Sequence, residues 1–401
     1  MFNTGIKVYL YSFFKNSIKL LRLGWLVPST PFYWLTLEDV ADRREGIEIL
    51  PLQDGISRNE EPPTIIGHSI SSRFTKYYNR STAPLYVLRL KDGKVYGKDT
   101  NIIISATQKV IADVSREFGA EGGRRVSDFE IIKTCILFRR ARNMSGTAAV
   151  ISTCGSDNFH HWSYDILPRF EILRRVGVLD KIDYFLINLK GMAFQLEGLK
   201  LLGIDMSKVI NTADKGNTLL KFDTLYVPSF SQQLSTISPF TVDFLRSVFF
   251  RPGDFEGKVV GYKRIFLSRK RVASRRIVNE AEVMELFFSN EFVEIHPEDY
   301  SVSEMAFIVA KASAIASVHG SGLSNLAFIS EGTKVLDILA PYHQDPYYWM
   351  ICNLRKSKYV GLFAEGMHPP DNADLVKRKV DLDLQIDLEK LKLALHELVG
   401  V

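Results

Sequence analysis

Three clusters carry the residue types and spacings that could do chemistry. The first is Asn158-Phe159-His160-His161-Trp162-Ser163-Tyr164-Asp165, followed by Pro168-Arg169. On a helix His161 and Asp165 stand four apart and share a face. A carboxylate held against an imidazole fixes its tautomer and makes it a general base near neutral pH. The same spacing also serves an ordinary surface pair or a satisfied core histidine. The second cluster is Leu267-Ser268-Arg269-Lys270-Arg271, continuing to Arg275-Arg276 and Asn279-Glu280. There a strand ends in a basic turn and a helix follows, so Arg269 and Arg276 would offer fork-shaped donors to phosphate oxygens. A solvated basic loop is the plainer alternative.

The third cluster follows the apolar run Ala314–Val318 and reads His319-Gly320-Ser321-Gly322-Leu323-Ser324-Asn325. Gly320 and Gly322 permit a sharp turn and close approach of a ligand to the backbone. Ser324 or Asn325 can satisfy free donors where the next helix begins. A strand, a glycine turn and a helix start make an anion site, with N–H groups facing a phosphate. Asp337, in the strand Lys334–Leu339, follows the glycines by the roughly 20 residues at which such folds hold a ribose hydroxyl. A glycine turn that only packs a helix on a sheet would look the same. Asp381-Leu382-Asp383 has the D-x-D spacing of some metal-dependent sugar transferases, but its polar surroundings read as a solvated face. No P-loop, H-E-x-x-H or G-x-S-x-G pattern occurs, and no metal site is expected.

Two series of alternating strands and helices must position these clusters. Pro28 to Pro63 reads as a loose connector. Leu85–Leu90 and Lys94–Tyr96 flank Asp92-Gly93, a hairpin signal. Asn101–Ala106, Ile131–Phe138 and Ala148–Ser152 read as strands, and Val110–Phe118 as a short helix. Asn158–Val176 has helical spacing in Trp162, Ile166, Phe170 and Leu173. Strands and helices then alternate to a helix at Thr241–Phe250. Arg251–Gly261, with Pro252, Gly253, Gly257 and Gly261, is the linker candidate. A second alternating series runs from Arg264 to Phe363, and Asp387–Leu398 is a closing amphipathic helix. The expectation is an α/β protein of two Rossmann-like domains facing across a cleft. Its units are a helix and connector over 1–63, a first α/β domain over 64–255, a second Rossmann-like domain over 256–375 and a terminal helix over 376–401.

At 401 residues there is chain enough for two cores, and 46% apolar with 24% charged residues is ordinary for a globular protein. A net charge of +5 suits anionic ligands without requiring nucleic acid. The three cysteines, Cys135, Cys154 and Cys352, form no C-x-x-C pair, which points to a reducing compartment. No run approaches the ~18 apolar residues of a membrane span. Residues 6–27 are apolar but punctuated by Lys7, Lys15, Lys19 and Arg22. They read as a docked helix, and are the one stretch that could lie on the inner face of a membrane. A cytoplasmic location is expected.

Taken together, N-F-H-H-W…D…L-P-R, L-S-R-K…R-R-I-V-N-E, H-G-S-G-L-S-N and K-V-L-D-I-L resemble family 61 of the glycosyltransferases, from about Asn158 to Pro341. The resemblance implies a GT-B fold, an inverting mechanism and no cofactor or D-x-D metal. The donor would be a nucleotide-diphosphate sugar, a UDP-sugar first, and the acceptor a glycan or glycolipid in surface or capsular polysaccharide synthesis. It assigns Arg269 and Arg276, with the turn His319, Gly320, Ser321, Gly322 and Asn325, to the diphosphate. Asp337, in place of the family's more usual Glu, would hold the ribose. His161 and Asp165 belong to the acceptor side, with His161 as base oriented by Asp165, or Asp165 itself as base. Ser321 and Ser324 stand where Ala and Thr are common, and Met305 follows Glu304 where Gln is usual. Two rival readings are a catalytically inactive sugar-binding scaffold and a nicotinamide-dependent oxidoreductase on the same glycine turn.

Overall fold

Six parallel strands carry the glycine turn. In spatial order they are Val293–Ile295, Arg264–Leu267, Ala314–Val318, Lys334–Leu339, Lys358–Phe363 and Thr64–Ile66. The computed structural model describes residues 34–35, 46–97, 102–107, 109–115, 141–213, 218–232, 236–366 and 382–400. Ala314–Val318 is buried throughout, as an apolar run between two helical layers must be. Ile265, Ile315, Val335 and Leu339 pack with the helices Val302–Lys311 and Tyr347–Leu354. Phe266, Ala316, Leu336 and Ile338 pack on the opposite face with Glu280–Ser289 and Leu388–Val399. Counted from Arg264, the strand order is 2-1-3-4-5, a doubly wound order with its switch point between Arg264–Leu267 and Ala314–Val318. Ligands of such sheets bind beyond the carboxyl ends of the strands at that point. Ser268-Arg269 and His319-Gly320 occupy those ends.

A second, larger sheet has ten strands among the described residues, and the end of it formed by Leu219–Pro228, Arg142–Val150, Tyr184–Ile187 and Val209–Asn211 is again parallel. The protein is therefore α/β, with antiparallel strands added on one side. Asp92-Gly93 does not turn a hairpin. Leu85–Lys91 and Lys94–Tyr96 run on in one direction along Leu219–Pro228, each antiparallel to it. Asp92, at φ 54°, and Gly93 form a kink between them, and a Cβ at Gly93 would sit 2.8 Å from both Leu90 and Leu225. Long-range pairing with Leu219–Pro228 thus overrides the local turn signal. Two further expectations change. Val110–Ile111 is a strand followed by a single 3-10 turn, its β-branched residues buried in the sheet. Within the connector, Ile47–Gln53 pairs antiparallel with Leu85–Lys91. Thr64–Ile66 joins the six-stranded sheet, and Asn353 and Trp349 fasten the backbone of Glu61 beside it. The expected helix over 6–27, the strand Ile131–Phe138 and Asp381 lie outside the described residues. Among the described residues no helix is long and apolar enough to cross a membrane.

The helix expected over Asn158–Val176 forms with a π turn inside it. Phe159–His161 starts it, Trp162–Ile166 is the π turn and Pro168–Arg175 continues. Asn158 caps the start, its Oδ1 accepting the N–H of His160 at 2.8 Å. The irregularity has a local cause. Pro168 has no N–H to offer the carbonyl of Tyr164, and the hydroxyl of Ser231 donates to that carbonyl instead, at 3.0 Å. Arg169 is buried and ties the neighbouring strand ends together by donating to the carbonyls of Ile151, Ser152 and Pro228. One apolar cluster, containing Trp162, Tyr164, Leu323 and Phe328, runs unbroken between the two sheets. The Glu197 carboxylate adds a polar fastening by capping the helix Val302–Lys311 at the N–H groups of Val302 and Ser303.

Candidate active site

The glycine turn is held by its carbonyls. Arg275 Nη1 donates to the carbonyl of His319 at 2.7 Å, and Tyr348 Oη to that of Gly320 at 2.6 Å. Asn325 Nδ2 donates to Gly322 at 2.9 Å, and Tyr164 Oη to Ser324 at 2.8 Å. The N–H groups of Gly320, Ser321 and Gly322 are different, for none finds an acceptor among the described residues. The segment that follows, Ser321–Phe328, is a 3-10 helix, where a plain helix start was expected. Gly320 itself has an extended backbone, which any residue can adopt. Its need for glycine is spatial, because a Cβ there would lie 2.8 Å from the Arg269 Cζ. The Nη1 end of Arg269 is therefore packed against the turn.

Behind the turn lies a polar cluster. His319 is buried, with Nδ1 2.9 Å from Asp337 Oδ2. The same oxygen accepts from Tyr359 Oη at 2.9 Å, while Asp337 Oδ1 is buried with no partner. Arg275 also donates to His343 Nδ1 at 2.9 Å, and His343 Nε2 lies 2.8 Å from Asp345 Oδ2. An arginine can only donate, so His343 Nδ1 carries no proton and Nε2–H donates to Asp345. Burial lowers the pKa of His343, in keeping with a neutral ring. Burial alone would raise Asp345, but the bond from His343 and the nearby histidines outweigh it and hold Asp345 down to about 2.

His319, His343 and Asp345 bring ligand-type atoms within 4.8 Å of one another, close enough to suggest a metal site. The donor pattern does not fit one. A metal on His343 Nε2 would require the proton on Nδ1, where Arg275 already points a donor.

The π turn from the first half of the chain packs against the segment Ser321–Phe328 at Ser324. His161 Nδ1 meets Asp165 Oδ2 at 2.8 Å, and Gln232 Nε2 donates to Asp165 Oδ1 at 3.2 Å. A carboxylate at Asp165 places the proton on Nδ1 of His161 and leaves the Nε2 lone pair as a base. The His161 side chain is 30% exposed and that of Asp165 is 6% exposed, so the imidazole is the member that a substrate can reach. His160, the next residue back, is buried, and burial pushes its pKa down to about 3. Its Nδ1 lies 2.9 Å from Ser324 Oγ. A file of rings joins the π turn to the polar cluster. His161 and His160 are 5.6 Å apart at their centroids, His160 and Tyr348 6.1 Å, Tyr348 and His319 4.8 Å, and His319 and His343 4.8 Å.

Apart from Arg276, the sequence-derived candidates thus separate into three groups. His161 with Asp165, and His319 with Asp337, are bonded pairs, and Arg269, Gly320, Ser321, Gly322 and Asn325 belong to one turn. Asp337 is fully buried beneath His319. Arg276 points elsewhere, its backbone N–H and guanidinium both donating to Asp383, at 2.9 and 3.0 Å. Arg275, His343, Asp345 and Tyr348 were not singled out by sequence. The spacing His343-x-Asp345, just past the strand Lys334–Leu339, was the available signal, because loops after parallel strands carry ligands in such sheets.

Residues 159–336 match the family model described as Glycosyltransferase 61. That match supports a glycosyltransferase family 61 assignment for this part of the chain. No curated protein matches the chain. The family 61 segment begins at the first residue of the helix that carries His161 and Asp165, and it ends one residue before Asp337. It spans both arginines at the turn and the turn itself, whereas His343 and Asp345 lie beyond it. The match supports glycosyltransferase activity, which requires a sugar donor and an acceptor.

Proposed function

We propose that this protein is an inverting glycosyltransferase that moves a sugar from a nucleotide-diphosphate sugar, a UDP-sugar first, to a hydroxyl of a glycan or glycolipid. The observation that carries the proposal is the set of three unbonded N–H groups at Gly320, Ser321 and Gly322, set at the sheet's switch point with Arg269 packed on the turn. Arg275 donates to the carbonyl of His319, and its Nε–H is buried without a partner. In this reading the two halves act as Rossmann-like units of a GT-B enzyme, with the six-stranded sheet, which includes Thr64–Ile66, holding the donor and the half that carries His161 the acceptor. The acceptor hydroxyl attacks the anomeric carbon in line, opposite the leaving diphosphate. His161 Nε2 takes the hydroxyl proton while Asp165 orients the ring. Charge developing on the leaving diphosphate is met by the turn N–H groups, Arg269 and Arg275. Asp337, buried under His319, shapes the turn from behind in place of a direct ribose contact. Cytoplasmic synthesis of a surface or capsular polysaccharide suits this chemistry.

A thermal-shift panel of nucleoside diphosphates and their sugars tests the proposal. A donor at a hundred times its dissociation constant should stabilise the fold by about 2.7 kcal/mol. The shift should persist in EDTA, because the cationic groups that meet the diphosphate are already in the chain. Absence of any shift across the panel, or a shift only with reduced nicotinamide cofactor, would overturn it.

A further inference from the structure

We infer that Ser324 is a positioning residue that couples the His161–Asp165 pair to the glycine turn, a role that rests on the transferase reading above. Two side chains from the first half of the chain converge on it. His160 Nδ1 meets its hydroxyl at 2.9 Å, and Tyr164 Oη donates to its carbonyl at 2.8 Å. The two rings stack on each other, with centroids 4.7 Å apart and planes 12° from parallel. All three residues are buried. Ser324 is thereby gripped at two atoms by one stacked unit, which fixes both its distance and its orientation.

The grip bears on chemistry through its neighbours in the chain. His160 and Tyr164 are followed directly by His161 and Asp165. The holding residues and the bonded pair are therefore two successive rows of the same helix, each spaced by four. Any slip of His160 and Tyr164 against Ser324 carries His161 and Asp165 with it. On the other side Ser324 lies two residues past Gly322, within the 3-10 helix whose first N–H groups are unbonded. Tyr348 extends the same contact, since it lies against the His160 ring and donates to Gly320. Ser324 is the point at which the position of the base and the position of the donor turn are set against each other. The fastening by Glu197 joins the same two halves without touching either the pair or the turn, and so serves as the control.

The test compares Tyr164→Phe, Ser324→Ala and Glu197→Gln in the full chain. Calorimetry with UDP gives the dissociation constant, and hydrolysis of a UDP-sugar gives kcat and KM. Tyr164→Phe and Ser324→Ala should lower kcat at least tenfold while moving the UDP dissociation constant less than threefold. Glu197→Gln should leave kcat within twofold even if it lowers Tm. A loss confined to KM, or an equal loss of kcat in all three, would reduce Ser324 to a structural contact. A readout independent of nucleotide separates this proposal from the transferase reading. The ring-nitrogen resonances of His161, assigned with His161→Gln, should move in Ser324→Ala and stay in Glu197→Gln. If wild-type protein binds no UDP, the transferase reading falls. Unmoved His161 resonances in Ser324→Ala overturn the coupling whatever the nucleotide result.

Discussion

Arg275 and Arg276 are neighbours in the chain whose guanidinium groups serve opposite sides of one loop. Arg275 reaches the carbonyl of His319 and the ring of His343, at 2.7 and 2.9 Å. Arg276 reaches Asp383, beside the bridge that Ile277 makes with Leu384. The divergence is set by the backbone at Arg275, which has a φ of 56° and is one of few residues other than glycine in the left-handed region. Arg275 is half-buried, whereas the Arg276 side chain is 57% exposed.

The two arginines should therefore part company in binding. Arg275→Ala is expected to weaken UDP binding by about 1.5–3 kcal/mol, the scale of a hydrogen bond to a charged group. Arg276→Ala should change it by less than about 0.5 kcal/mol, since an exposed ion pair with Asp383 is all it breaks. Calorimetry on both variants decides the matter, and a reversed order would move the diphosphate to the Asp383 side of the loop.

Gly320→Ala probes the packing of Arg269 on the turn. The backbone there suits any residue, so a loss cannot come from conformational strain. It would come from the Cβ displacing the Arg269 guanidinium. The variant should lose as much UDP affinity as Arg269→Ala, again about 1.5–3 kcal/mol. Gly322→Ala is the control, because the nearest atom to its Cβ would be Pro297 Cγ at 3.8 Å, an ordinary contact. Its stability should stay within about 0.5 kcal/mol of wild type in denaturant melts.

Local signals carried much of this fold, and they failed where distant residues decide. Arg264–Leu267, Ala314–Val318 and Lys334–Leu339 read as strands because a buried parallel strand writes itself as a short apolar run. The His161–Asp165 bond was legible because a spacing of four is a helical repeat and survives the π turn. Asp92-Gly93 misled because its turn chemistry says nothing of Leu219–Pro228, whose pairing holds both flanking strands in one line. The site shows the same division. His160 meets Ser324 across 164 residues and Arg275 meets His343 across 68, contacts that no local period encodes. Which of two adjacent arginines faces inward depends on one positive φ, at a residue type that seldom adopts it.

Acid should destabilise the fold through His160. Burial favours its neutral form and pushes its pKa from 6.5 down to about 3, with His161, Asp165, Asp345 and His319 as the charged or titratable groups around it. A group with a depressed folded pKa contributes fully above the unfolded value and loses that contribution as pH falls. Stability should thus decline between pH 6.5 and about 3, by up to about 1.4 kcal/mol per pH unit for this one proton. Urea melts from pH 6.5 to 4.5 on wild type and His160→Gln check the sign, for the variant's curve should be flatter by one proton. Equal slopes would mean that His160 takes up its proton in the fold as readily as in the unfolded chain.

The bonded pair His161–Asp165 carries the catalytic step of the proposed reaction, and its two members predict different losses. If the imidazole is the base, His161→Ala should lower kcat by about 10²–10⁴-fold, the usual worth of a positioned proton transfer. UDP affinity should hardly change, because the turn that would bind it is built from another part of the chain. Asp165→Asn should cost less. Its amide can still accept from His161 Nδ1–H through the oxygen, though Gln232 Nε2 already donates to the other position, where an NH₂ group would meet a second donor. The ring would then lose some of its orientation and the charge that favours its protonated form. If Asp165 were itself the base, the order would reverse, with Asp165→Asn the more damaging. The exposures favour His161, since the Asp165 side chain is 6% exposed against 30% for the imidazole, and both carboxylate oxygens already accept hydrogen bonds. A pH profile of kcat separates the two assignments independently. The acidic limb should vanish in His161→Ala and persist in Asp165→Asn, and two fully active single variants would remove the pair from the mechanism.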